Sequence, residues 1–164
     1  MIKSRKIVFI ALLAALSVLL GGIDNMIPTP IAPVKLGMGN IAVLLALYLI
    51  DTKSAIAVSV LKVILCQMLF GNASSFIYSA FGAVFSFALM LICKKTGKFS
   101  AVGVSAIGAV AHNTGQLLCA YFFIGKGALY YIPILASCGA VAGFLTGIVA
   151  QIIIKRGRGL LGKE

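Results

Sequence analysis

Six long apolar runs, separated by short polar or basic breaks, leave this chain little freedom in how it folds. A hydrocarbon core about 30 Å thick takes roughly 20 helical residues to cross. Runs near that length occupy residues 7–23, 36–50, 54–70, 74–93, 100–124 and 131–154. The expected fold is an all-α membrane protein, a six-transmembrane-helix bundle. It forms a single domain over 1–164, with no room for a soluble catalytic unit.

Composition narrows the class further, with 62% apolar residues, 10% charged residues and eighteen glycines. A net charge of +11 invites a nucleic-acid reading, but phosphate-binding patches lie on water-exposed faces interleaved with polar and aromatic residues. Here the basic residues form short clusters between apolar runs, so they act as topology signals and no nucleic-acid partner is expected. Cys66, Cys93, Cys119 and Cys138 fall within or beside apolar runs and form no CxxC pair. With a single histidine in the chain, neither a metal site nor a cofactor is expected.

The first run follows Lys3, Arg5 and Lys6 and resembles a secretory signal, yet more membrane follows it, so it reads as a retained helix. Six crossings put both termini on one side. Cytoplasmic loops carry the Lys/Arg excess. With the N-terminus inside, Lys3, Arg5, Lys6, Lys53, Lys94, Lys95, Lys98, Lys155, Arg156, Arg158 and Lys163 are cytoplasmic, against Lys35 and Lys126 outside. Both termini are therefore expected in the cytoplasm, in the cell membrane of a prokaryote. The second run is the weakest crossing, because the prolines of 27–35 forbid regular helix before it and it counts only fifteen residues.

Lys62 is the residue that asks for an explanation. It sits near the middle of the third run, and the three acids of the chain, Asp24, Asp51 and Glu164, lie at or beyond the ends of apolar runs. A buried ammonium without a carboxylate is costly, and ionisable groups inside a membrane are functional candidates by default. Spacing residues 100° apart places Ala55, Ser59, Lys62, Cys66 and Leu69 on one face, opposite Val60, Leu61, Ile64 and Met68. On the fifth run the same arithmetic gathers Ser105, Ala109, His112 and Gln116, flanked by Gly108, Asn113 and Cys119, opposite Ile107, Val110 and Leu117. His112 and Lys62 lie at similar depth, so one interior site formed by Lys62, His112, Asn113 and Gln116 is expected. The structural alternatives are snorkelling of Lys62 and helix-to-helix hydrogen bonding of the fifth-run group. Snorkelling has roughly 15 Å to cover from midplane to headgroups, more than a lysine arm spans. Asn72, Asn40 and Lys35 are candidates to line an outward-facing pocket above Lys62.

Small residues recur at helical spacing: Ala11 and Ala15, then Ser75, Ser79, Gly82 and Ser86, then Gly139, Gly143 and Gly147. For the last two sets close packing inside the bundle is expected. The alanines of the first helix are equally compatible with an external partner.

Taken together, Ile27-Pro-x-Pro-Ile-x-Pro-x-Lys-Leu-Gly37, Asn40 with Ala46-Leu-Tyr-Leu49, Leu69-Phe-Gly-Asn-x-Ser-Ser-Phe76, Gly103-Val-Ser105 and His112-Asn-x-Gly-Gln116 resemble the Gx transporter family. That family is also labelled component I of heptaprenyl diphosphate synthase. It resembles the substrate-binding membrane subunits (S components) of energy-coupling factor (ECF) importers, six-helix proteins with both termini inside. In those subunits an Ala-x-x-x-Ala surface on helix one docks on a transmembrane coupling subunit, and Ala11 and Ala15 match it.

The resemblance implies a substrate-binding subunit for vitamin-like uptake of a small organic nutrient or cofactor precursor. Energy would come from separate coupling and ATPase subunits, since the sequence has no GxxxxGK[ST]. Lys62 would meet an anionic or carbonyl group of the ligand. Prenyl transfer by this chain is not expected, because magnesium on a diphosphate wants clustered aspartates and the two here are widely separated. The alternative is a membrane component of a quinone- or flavin-linked electron-transfer or isoprenoid system. A purely structural scaffold would leave the cost of Lys62 unexplained.

Overall fold

A computed structural model of the chain describes residues 3–27 and 37–160. Among these the elements are α1 (Lys3–Met26), α2 (Asn40–Leu49), α3 (Thr52–Phe70), α4 (Ala73–Thr96), α5 (Ala101–Ile124), a 3-10 turn (Gly125–Tyr131) and α6 (Ile132–Leu160). Caps set several of these boundaries. Asp51 accepts the Ser54 amide at 2.8 Å to open α3, and Asn72 accepts the Ser75 amide at 2.9 Å to open α4. The Ser75 hydroxyl accepts in turn from the Asn72 amide, completing a capping box. Gly97, at φ 68°, closes α4 in the left-handed conformation that suits glycine.

Four stretches are long and apolar enough to cross a membrane: Ser4–Met26, Thr52–Phe70, Ala73–Thr96 and Ala101–Gly157, the last containing α5, the 3-10 turn and α6. Their outward faces are apolar, as at Ile7, Leu19, Val84 and Phe122, all more than 60% exposed. Such a surface suits lipid rather than water. The protein is an all-helical, multi-pass membrane protein.

α5 is the central element, packed most extensively against α4 and α6. Its burial corrects one expected face: Leu117 is 3% exposed although it lies opposite the polar seam. A helix with neighbours on both sides keeps only a narrow free face, here Leu118 and Phe122, and Leu117 lies off it. Close approach on the α6 side depends on glycine. A Cβ at Gly143 would meet the Ala106 Cα at 2.8 Å and the Ser105 carbonyl at 2.9 Å.

α2 departs from the expected second crossing. Its ten residues span about 15 Å, half the hydrocarbon thickness. Every residue from Ile41 to Leu47 is buried, so it is a core helix with no lipid face. Leu47 and its neighbours lie at the end where Lys94 donates to the Leu47 carbonyl and Gly157 packs against Leu49. Lys6 pairs with Asp51 at 2.6 Å at that same end, so the beginning of α1 and the end of α6 lie together. The opposite end is marked by Asn25, whose Nδ2 donates to the Phe70 carbonyl at 3.2 Å.

Candidate functional site

Because α2 is short, its N-terminus begins inside the bundle, and the backbone leading into it (Gly37, Met38, Gly39) lies among polar side chains. Lys62, 8% exposed on α3, donates from Nζ to Asn40 Oδ1 at 2.5 Å. Asn40 donates from Nδ2 to Ser86 Oγ of α4 at 3.3 Å. Ser17 of α1 donates to the Gly39 carbonyl at 3.4 Å. Three helices thus hold the start of α2 through side chains.

The largest correction concerns the counter-ion. Asp24 ends an apolar run in the sequence and looks remote from Lys62, yet α1 continues through Met26 and carries Asp24 into the interior, 3% exposed. Its carboxylate accepts the amides of Gly37 at 2.7 Å and Met38 at 3.2 Å. Asp24, Lys62 and His112 line one cavity of about 20 Å³, with Gly21, Gly37, Val63, Cys66, Gln67 and Ser79. That volume admits about one water molecule. Lys62 therefore shares its cavity with a carboxylate of the same chain.

Glycine is required where the lead-in passes the imidazole. Gly37 has φ 83°, and a Cβ there would stand 2.9 Å from His112 Cδ2 and 3.1 Å from Asn40 Nδ2. On the other side of the ring, a Cβ at Gly82 would meet His112 Cε1 at 2.7 Å and Gln116 Cγ at 2.9 Å. His112 is thus clamped between two glycine surfaces, beside the cavity it lines.

The expected site residues separate into three groups. Lys62, His112 and Asn40 come together as described. Gln116, wholly buried, lies against Gly82 beside the histidine but outside the cavity wall. Asn113 turns elsewhere, donating from Nδ2 to the Leu135 carbonyl of α6 at 2.7 Å, which makes it a tie between α5 and α6. Asn72 caps α4 and reaches the cavity only through a ladder: Ser75 Oγ donates to Gln67 Oε1 at 2.5 Å, and Gln67 Nε2 donates to Ser79 Oγ at 2.8 Å. Lys35 lies outside the described residues.

Ala11 and Ala15 are exposed, on the side of α1 away from the buried Ala14, Ser17 and Gly21. Among the wall residues, sequence reasoning missed Asp24, Gln67 and Gly37. The one available signal was a carboxylate within a single turn of the end of an apolar run, followed by a chain that returns on glycines.

Searches among curated proteins and among solved structures found no significant match. The sequence profile of one family, described as heptaprenyl diphosphate synthase component I, matches residues 13–153. That match takes in α2 to α5 entire, with Asp24, Lys62 and His112 inside it, and the chain belongs to this family of heptaprenyl diphosphate synthase component I proteins.

Proposed function

We propose that the chain is a substrate-binding membrane subunit, similar to an ECF S component, which takes up a small organic nutrient or cofactor precursor and is energised by separate coupling and ATPase subunits. The observation that carries this reading is the buried set of Asp24, Lys62 and His112 around one cavity, beside a lead-in whose backbone meets the Asp24 carboxylate, the Ser17 hydroxyl and the His112 ring. Ionisable groups at this depth are costly and mark ligand or ion paths in membrane proteins. A ligand larger than water reaches Lys62 only when the Gly37–Gly39 lead-in moves, which exchanges the Asp24 and Asn40 contacts for contacts to the ligand. With a carboxylate and an ammonium both present, the fitting ligand carries a hydrogen-bond donor and an acceptor close together, rather than bare negative charge. On this reading both termini face the cytoplasm, and the exposed Ala11 and Ala15 surface meets the coupling subunit.

Catalysis of prenyl transfer is not part of the proposal. Asp51 pairs with Lys6, whereas Asp24 stands eighteen residues further along α1, about 27 Å away at 1.5 Å per residue. Two carboxylates so placed do not share a magnesium-bound diphosphate. A second reading, a membrane component of an isoprenoid or quinone-linked system, is favoured by the family's description.

Purification in mild detergent, with mass spectrometry of co-purifying small molecules from wild type and Lys62→Met, separates the two. A nutrient-like molecule present in wild type and lost in the variant supports capture. A quinone or prenyl compound favours the second reading, and identical profiles from both proteins remove Lys62 from the function. Recovery of partner subunits by Ala11→Leu/Ala15→Leu tests the docking face, and unchanged recovery counts against it.

A further inference from the structure

α3 and α4 are joined by only Gly71 and Asn72, so they leave that end as neighbours, yet they pack on each other far less than α4 packs on α5. Between them runs a groove of about 510 Å³, within the roughly 300–1,000 Å³ of pockets that hold small molecules. Small residues, Ser59, Ala80, Ala83 and Ala88, leave the space open between larger ones that include Val60, Ile64, Phe76 and Phe87. Ile56, Val60 and Val84 along it are 45%, 51% and 66% exposed, so it opens sideways toward the surrounding hydrocarbon. A concave apolar surface in a bilayer is filled by whatever apolar chain fits it, because an unfilled gap forfeits dispersion contacts.

Charge lies beyond one end of the groove. Lys53 precedes Ile56 by one turn on the same stripe of α3, and Lys95 follows Ala88 by two turns on the same stripe of α4. Both lysines are exposed. They lie beyond the lining residues, toward the end of the bundle where Lys6 meets Asp51, the end that the basic excess places in the cytoplasm.

We propose that this groove binds an anionic phospholipid of the cytoplasmic leaflet, with an acyl chain laid along α3 and α4 and the phosphate between Lys53 and Lys95. The charge of the two lysines selects the headgroup, and the space left by the small residues accepts the chain. The groove and the Asp24/Lys62/His112 cavity are different spaces that share Val63 as a wall residue, and neither Lys53 nor Lys95 lines the cavity, so the lysine variants test this proposal apart from the proposed function.

The test uses the full-length protein in mild detergent, with lipid adducts quantified by native mass spectrometry. The probes are phosphatidylglycerol and phosphatidylcholine of identical chains, and a polyprenyl phosphate. A lysine near an anionic headgroup contributes about a fivefold preference, so phosphatidylglycerol is expected to exceed phosphatidylcholine by roughly 25-fold. In Lys53→Gln/Lys95→Gln that preference falls to near parity. Val84→Trp, which fills the groove and leaves both lysines in place, lowers retention of either phospholipid. Equal retention of the two phospholipids by wild type, or a preference that survives the double lysine change, overturns the proposal. Selective retention of the polyprenyl phosphate replaces the phospholipid as occupant, and a dimer that closes the groove replaces it with a second copy of the chain.

Discussion

The two halves of the bundle are held together in different ways. On the α5 side, α4 and α6 approach through glycine, and the neighbouring atoms are backbone or Cβ: Gly115 faces the Phe81 carbonyl, Gly143 the Ala109 Cβ and Ala106 Cα, and Gly147 the Ser105 Cβ and Val102 Cα. Around α2, contact is made by side chains that reach across: Asp24 to two amides, Lys62 to Asn40, and Lys94 to the Leu47 carbonyl. Backbone in van der Waals contact has one arrangement. Side-chain hydrogen bonds are exchangeable for others, including bonds to a ligand. The comparison teaches that the α4–α5–α6 half is the scaffold, while the start of α2 is the part whose contacts can be traded.

The largest expected effect comes from breaking the scaffold. Gly143→Leu drives a branched side chain into backbone that has nowhere to move, and overpacking of this kind costs about 1–3 kcal/mol or more. Thermal unfolding in detergent should show a large fall in Tm, and Gly147→Leu should behave alike. Full stability in both variants would show that α5 and α6 are not in contact through this stripe.

An intermediate effect comes from the exchangeable half. Asp24→Asn weakens the acceptor for Gly37 and Met38 and leaves Lys62 without the carboxylate that shares its cavity. Hydrogen bonds to charged groups contribute about 1.5–3 kcal/mol, so a loss of that size is expected. The decisive comparison is Asp24→Asn/Lys62→Met. If the two charges balance across the cavity, the double variant is more stable than Asp24→Asn alone, because the stranded ammonium is gone. Additive losses would mean that the two side chains act independently.

Much of this arrangement is legible in the sequence. The buried face of α3 follows its 100° spacing, with Ala55, Lys62 and Cys66 inside and Val60, Ile64 and Met68 outside, but Leu69, expected on the inner face, is 63% exposed at the last turn of α3. The Gly139, Gly143 and Gly147 stripe packs inside the bundle as its spacing implies. What periodicity could not convey was rank within the bundle. It identifies a lipid face only on a peripheral helix, which is why Leu117 on central α5 and the whole of α2 departed from expectation. Asn113 and Gln116 share a seam with His112, but 100° of rotation sends Asn113 to α6 instead of to the cavity. Asp24 escaped notice for a different reason: the pairing that buries it is made with backbone amides thirteen and fourteen residues away, and no periodicity reports where a loop returns.

The smallest expected effect lies at the end of the bundle where Asp51 caps α3 and meets Lys6. The Lys6 ammonium, first, and the Ser54 amide, second, hold the Asp51 carboxyl down at about 2 from an ordinary value of 3.8. A carboxyl whose folded pKa is depressed stabilises the fold above its unfolded pKa, and loses that contribution as pH falls through the folded value. The window here is therefore between about pH 4 and pH 2. The pair is partly exposed, 35% at Lys6 and 42% at Asp51, so solvent screening reduces its contribution to about 0.5 kcal/mol. Lys6→Gln should lower Tm slightly at pH 7, less at raised salt, and least near pH 2, where Asp51 in the wild type is itself losing its charge. A Lys6→Gln penalty that persisted unchanged at pH 2 and in high salt would assign the lysine to packing of its aliphatic stem. This end of the molecule would then be held in the same way as the α5 scaffold, by fit rather than by charge.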